Sequence, residues 1–174
     1  MAHIPSSEVK DSALWEHAQN DIEAATHENM SRPDWGANME IMENMKNLML
    51  VAPLHGHRIL KHLKKRIVHK KDQVGYLALC LLESLVKNCP GFANFIANPE
   101  FLKAMVKSIP RSIRKPREKT SFYKKDRKNN TEISHQRIQK VLTLLKAWAS
   151  QATANSTFKK TYQDLQQKVY SWSR

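Results

Sequence analysis

Apolar residues in this chain recur every three or four positions, and no clear run alternates apolar with polar. That period lets a helix bury one stripe, whereas a half-buried strand needs a period of two. Only four glycines occur, and Leu, Lys, Ala, Gln and Met fill the long stretches, so local propensity agrees with the pattern. The expectation is an all-α fold. With 174 residues the chain is one domain by length and large enough to bury a core of its own.

Prolines and polar breaks divide the period into segments. Residues 1–7 read as a flexible N-terminus and 8–172 as the domain. A first helix is expected over Glu8–Asn29, in one or two pieces. "SRPD" then ends it, with Ser31 or Asp34 available to cap the next helix and Pro33 suited to its first turn. Helix two runs to about Leu50, where Pro53 stops or bends the chain. Helix three covers "LHGHRILKHLKKRIVHK", with Leu54, Ile59, Leu63 and Ile67 inward and lysines outward. Lys71-Asp72 opens a fourth helix that lasts until Pro90-Gly91. A short "FANFIAN" helix and "PEFLKAMVKSI" follow. Residues 110–131, polar, basic and broken by proline, read as a long mobile loop. "ISHQRIQKVLTLLKAWAS" and "STFKKTYQDLQQKVYSW" restore the helical period, with Trp148 on the main apolar stripe and therefore expected in the core. Seven or eight helices with short connections suggest stacked hairpins in a solenoid.

Charge is unevenly placed. The net +13 hides an acidic first 50 residues followed by a strongly basic remainder. Helix three and its flank supply Arg58, Lys61, Lys64, Lys65, Arg66, Lys70 and Lys71 with no acid between Pro53 and Lys71. The following basic region adds, among others, Arg114, Lys115, Arg117, Lys124 and Lys125. Such a surface is either a solubilising face or a site for an anionic partner: phosphoinositide headgroups, a phosphorylated peptide or nucleic acid. Phe122 and Tyr123 add apolar character to the loop.

Cys80 and Cys89 are too few for a disulfide scaffold and read as reduced thiols. His55, His57, His62 and His69 crowd helix three without a facing carboxylate or cysteine pair, so they read as solvated or capping side chains and no metal site is expected. No catalytic constellation and no cofactor motif is found. No basic n-region with an apolar core opens the chain, and "YLALCLLESLV" is too short and interrupted to span a bilayer.

One stretch carries more apolar surface than a single interface needs. In "RPDWGANMEIMENM", residues 32–45, Ala37, Ile41 and Met45 fall on one arc with Leu48, while Trp35, Met39 and Met42 gather on another. Either the helix is sandwiched between neighbours, or the second face is kept for a partner.

The segments "IEAATHENMSRPDW", "VHKKDQVGYLALCLLESLVKNC", "FLKAMVKSI" and "VLTLLKAW" occur in the order and spacing of a VHS domain, a resemblance covering about residues 20–168. It implies a right-handed superhelix of about eight helices, without enzymatic activity, serving endosomal or Golgi sorting proteins. The implied location is cytoplasmic and peripheral on those membranes. In family members that bind ubiquitin, the tryptophan of the Asp-Trp pair, a large apolar residue four positions later and the outer face of helix four meet the ligand. Carried over, these are Trp35 and Met39 with Tyr76, Cys80, Glu83, Ser84 and Lys87. Glu83 departs from the small residue usual there.

Other VHS domains read acidic dileucine signals through basic residues before the helix-six phenylalanine. Glu100 before Phe101 argues against that activity here, although Lys103 keeps some basic character nearby. Taken with the basic surface, the resemblance points to an adaptor for ubiquitinated cargo on phosphoinositide membranes, with no nucleic acid involved. The alternative is a nuclear superhelical domain that uses the same lysines to bind the phosphorylated tail of RNA polymerase II, or RNA.

Overall fold

The computed structural model describes residues 6–52, 54–109, 124–150 and 156–172. Within them lie eight helices and no strand: α1 (Ser6–Ala25), α2 (Trp35–Val51), α3 (Leu54–Ile67), α4 (Asp72–Asn88), α5 (Phe92–Ile96), α6 (Pro99–Lys107), α7 (Lys124–Ser150) and α8 (Ser156–Trp172). The all-α expectation holds, and the helices stack as a superhelix. No helix among the described residues is long and apolar enough to cross a membrane.

Local chemistry explains the helix starts. Asp34, not Ser31, caps α2 by accepting a hydrogen bond from the Ala37 N–H at 3.1 Å. Pro33 lies outside that helix. Asn98 caps α6 by accepting from the Glu100 and Phe101 N–H groups, with Pro99 in the first turn where its missing donor costs nothing. Gly91 sits at φ 81°, a conformation that side-chain-bearing residues avoid, and so turns the chain sharply from α4 into α5.

The core is built around α4. This helix packs against α1, α2, α3, α5 and α7, and buries Val74, Leu77, Leu79, Leu81, Leu82 and Leu85. Trp148 is buried against Phe158 of α8, as its place on the apolar stripe required.

Several expectations need correction. Ser6 and Ser7 already belong to α1, and Asn29 lies beyond its end. Residues 124–131, read as loop, form the first turns of α7. The reason lies in composition: no proline follows Pro116 before α8, and the Lys-Lys-Asp-Arg-Lys run is compatible with helix. Residues 110–123 lie outside the described residues. Leu54, expected inward, is 62% exposed because it opens α3 at the corner with α2, while Ile59, Leu63 and Ile67 are buried.

Two of the four histidines of α3 and its flank are neither solvated nor capping. His55 and His62 are buried, where α1 crosses α3 and Trp15 lies stacked over His55 and edge-on to His62. The Gln19 amide is 3.3 Å from His62 Nδ1, and Glu23 lies 3.5 Å from its Nε2. His69 is half-buried and accepts from the Lys71 N–H ahead of α4, a helix that has no side-chain cap.

A buried arginine ties the second half of the domain to the first. Arg137 of α7 is 2% exposed and reaches into the α3–α4 connection. Its Nη1 donates to Asp72 Oδ1 at 2.7 Å and to the His69 carbonyl at 3.4 Å, and its Nη2 to the Ile67 carbonyl. Ser134 donates to the other Asp72 oxygen. The guanidinium thus satisfies carbonyls left over at the end of α3 and pairs with a carboxylate at the start of α4. Gly75 makes room for it, since a Cβ there would overlap the guanidinium.

Candidate functional site

The two faces of α2 have different fates. Ile41, Met45 and Leu48 are buried, and Ala37 is half-buried. Trp35 and Met39, one helical turn apart, are 57% and 67% exposed. The helix is therefore not sandwiched along its whole length. Met42, expected on the second face with them, is half-buried and packs on the core.

Helix four departs further from expectation. Its arc opposite Val74, Ala78, Leu81 and Leu85 was expected to be a free outer face. Instead Cys80 is 1% exposed and Ser84 is also buried, its hydroxyl donating to the Cys80 carbonyl. Tyr76 and Glu83 are half-buried, and only Lys87 of the set is exposed. The cause is α7, which packs along α4 and brings Lys140 onto Glu83. Lys87 donates to the other Glu83 oxygen at 2.8 Å. Burial raises the cost of that carboxylate, but the hydrogen bonds from Lys140 and Lys87 outweigh it and hold Glu83 below the ordinary range. Burial also pushes the Cys80 thiol up, which disfavours the nucleophilic thiolate.

The residue of α4 that does reach the second face of α2 is Asn88. Its amide lies 3.3 Å from the Met42 sulfur and donates to the Ser84 carbonyl at 2.8 Å. The Cys89 thiol meets the Met42 carbonyl at 3.5 Å. Asn88 is exposed and sits at the end of α4, beyond the arc that periodicity singled out. Its sequence signal was position alone, as the last residue before the helix stop.

A second candidate surface is the outer face of α3. At about 100° per residue, Leu54, Arg58, Lys61, Lys65 and Val68 share an arc roughly 80° wide, opposite the buried one. All five are exposed. Lys64 is half-buried at its margin, and Lys70 is exposed just beyond the helix. Arg66 and Lys71 do not belong to this face. The Arg66 guanidinium turns to the residue just past α1, donating to the Thr26 hydroxyl and carbonyl, each at 2.8 Å. Lys71 pairs with Glu28. Both close the end of α1 onto the α3–α4 connection. Arg114, Lys115 and Arg117 lie outside the described residues, as do the side chains of Lys124 and Lys125. At the start of α6, Glu100 and Lys103 are exposed.

Comparison with known proteins bears on the family and the fold. The VHS domain family model matches residues 13–169. TOM1-like protein 1 of Arabidopsis thaliana is 38% identical over 88 residues, 51% of this chain and 21% of that protein. TOM1-like protein 2 of the same plant is 25% identical over 169 residues, 95% of this chain and 38% of that protein. The chain therefore spans well under half the length of these relatives. The crystal structure of the VHS and FYVE tandem domains of HRS, a protein involved in membrane trafficking and signal transduction, superposes with a TM-score of 0.61 at 20% identity. The match covers 87% of this chain and 60% of that one.

Proposed function

The chain belongs to the VHS domain family, and from that premise we propose that it is a non-enzymatic adaptor module of vesicle trafficking that binds ubiquitinated cargo and anionic membrane. The observation that carries the cargo half is the exposure of Trp35 and Met39 side by side on α2, whose other face buries Ile41, Met45 and Leu48 in the core. A tryptophan is rarely left more than half exposed when a domain can bury it, and an exposed Trp–Met pair offers apolar contact area with little ordering cost. Asn88, beside Met42, supplies an amide at the rim of the same surface. The patch is small, so binding is weak, on the order of millimolar to submillimolar, and gains strength through avidity with other modules. Because Cys80 and Ser84 are buried, they do not touch the ligand.

The membrane half rests on the α3 face. Arg58, Lys61, Lys64, Lys65 and Lys70 present positive charge with no acid in that stretch of chain. Each basic residue near an anionic surface is worth on the order of 1 kcal/mol. HRS is a protein involved in membrane trafficking, and the fold likeness supports the same setting here.

A nuclear magnetic resonance titration tests the cargo half. Ubiquitin should shift the Trp35 indole and the Met39 methyl, and Trp35→Ala should weaken binding by about tenfold or more while the melting temperature stays nearly constant. Unchanged spectra at millimolar ubiquitin would remove ubiquitin as the ligand. Vesicles test the membrane half: binding should require phosphoinositide and weaken as salt rises.

A further inference from the structure

The α3 face is basic in its middle and aliphatic at both ends. Leu54 opens it at 62% exposed and Val68 closes it, also exposed. Across the turn from Leu54, Leu50 at the end of α2 is 75% exposed, the most open of the large apolar side chains among the described residues. The Ala52 N–H donates to the Leu48 carbonyl and the His55 N–H to the Ala52 carbonyl, which ties the start of α3 to the end of α2. Leu50 and Leu54 thus stand at the end of one helix and the start of the next. Leu54 shares its arc with Arg58, Lys61 and Lys65, so whatever those cations approach, Leu54 approaches too.

We propose that the α2–α3 corner is an apolar wedge: Leu50 and Leu54 enter the acyl boundary of an anionic membrane that the basic stripe of α3 holds close. The inference rests on the membrane half of the proposed function and adds a mode of contact to it. Charge complementarity selects the occupant. A protein partner with an apolar groove would cover the leucines but would leave the adjoining cations without a counter-surface, whereas an anionic bilayer offers headgroup charge and hydrocarbon at adjacent depths. Electrostatic attraction fades beyond a Debye length and with salt, while leucine insertion does not, so the wedge makes a salt-resistant component of binding.

The test measures sedimentation of the whole chain with phosphatidylcholine vesicles containing phosphatidylinositol phosphate, at low and high salt, beside titration with soluble inositol phosphate. Leu50→Ser with Leu54→Ser removes exposed side chains and should leave the melting temperature unchanged. Vesicle partitioning should fall about tenfold or more, with most loss at high salt, while affinity for soluble inositol phosphate stays the same. Lys61→Glu with Lys65→Glu should weaken both readouts. A separate Leu54→Trp variant should be quenched by brominated acyl chains more than the wild type.

Serine variants that partition like the wild type, or no added quenching in Leu54→Trp, would overturn the wedge. The electrostatic reading would survive if the lysine variants still lost binding. A wild type that binds no anionic vesicle would sink both. A wild-type dimer that the serine variants convert to monomer, with vesicle binding unchanged, would reassign the corner to self-association and overturn the wedge.

Discussion

Replacing Arg137 by methionine should be among the costliest single changes outside the apolar core. The substitution keeps most of the aliphatic stem and removes the group that donates to Asp72, to the His69 carbonyl and to the Ile67 carbonyl. Removing one partner of a buried ion pair costs about 3–5 kcal/mol, because the other charge stays behind desolvated. The Asp72 side chain keeps 21% of its exposure and its hydrogen bond from Ser134, so the low end, about 3 kcal/mol, applies. In a domain of this size that lowers the melting temperature by roughly 6–12 °C.

Denaturant unfolding of four proteins gives the coupling directly: wild type, Arg137→Met, Asp72→Asn and the double variant. The two single costs should exceed the double cost by about 1 kcal/mol or more. Additive losses, or an Arg137→Met cost below about 1 kcal/mol, would show that the guanidinium only fills space at the α3–α4 connection.

Gly75→Ala places a methyl group into the same guanidinium and should cost about 1–3 kcal/mol in the same assay, far more than at exposed Gly36. Trp148→Ala should cost about 3–5 kcal/mol by leaving a cavity against Phe158, in contrast to Trp35→Ala, which leaves stability within about 1 kcal/mol. Acid should loosen the α1–α3 contact. Burial holds the His62 imidazole below its ordinary value, against the pull of Glu23 and with Lys65 and Arg66 assisting. Its contribution is therefore full above the unfolded value of about 6.5 and declines as pH falls below it, because the unfolded chain takes the proton first. His62→Gln should flatten that part of the stability–pH curve, read by thermal melts, and an unchanged slope would assign the acid sensitivity to another group.

Much of this architecture was legible because helical period and caps are local properties. Ile41 and Met45 against Trp35 and Met39 could be separated on a wheel, and Asp34 stood as one of two candidate caps. The arc of α4 could not be assigned in the same way, since burying Cys80 and Ser84 depends on α7 arriving from more than fifty residues away. Periodicity tells which face is apolar, but small, weakly polar side chains suit either environment. Arg137 was hidden for a related reason: a lone arginine reads as surface. It stands four, seven and eleven residues before Val141, Leu144 and Trp148, which are all buried, so its place on the apolar stripe was a signal that charge concealed. Leu54 erred in the opposite direction, for a first-turn residue at a corner need not follow the stripe of its helix.

The central placing of α4 governs how the domain comes apart. In an array of stacked helical pairs each unit meets its neighbours alone, and ends can fray while the middle persists. Here one helix, with ten buried residues, is shared by α1, α2, α3, α5 and α7, so detaching any of them uncovers part of it. Amide hydrogens in α4 should therefore exchange only when the whole chain opens, and those on both sides of it should report nearly the same opening free energy. Cargo or lipid captured at one surface would then slow exchange across the domain and not merely beneath the ligand, because every protected amide draws on a single cooperative opening.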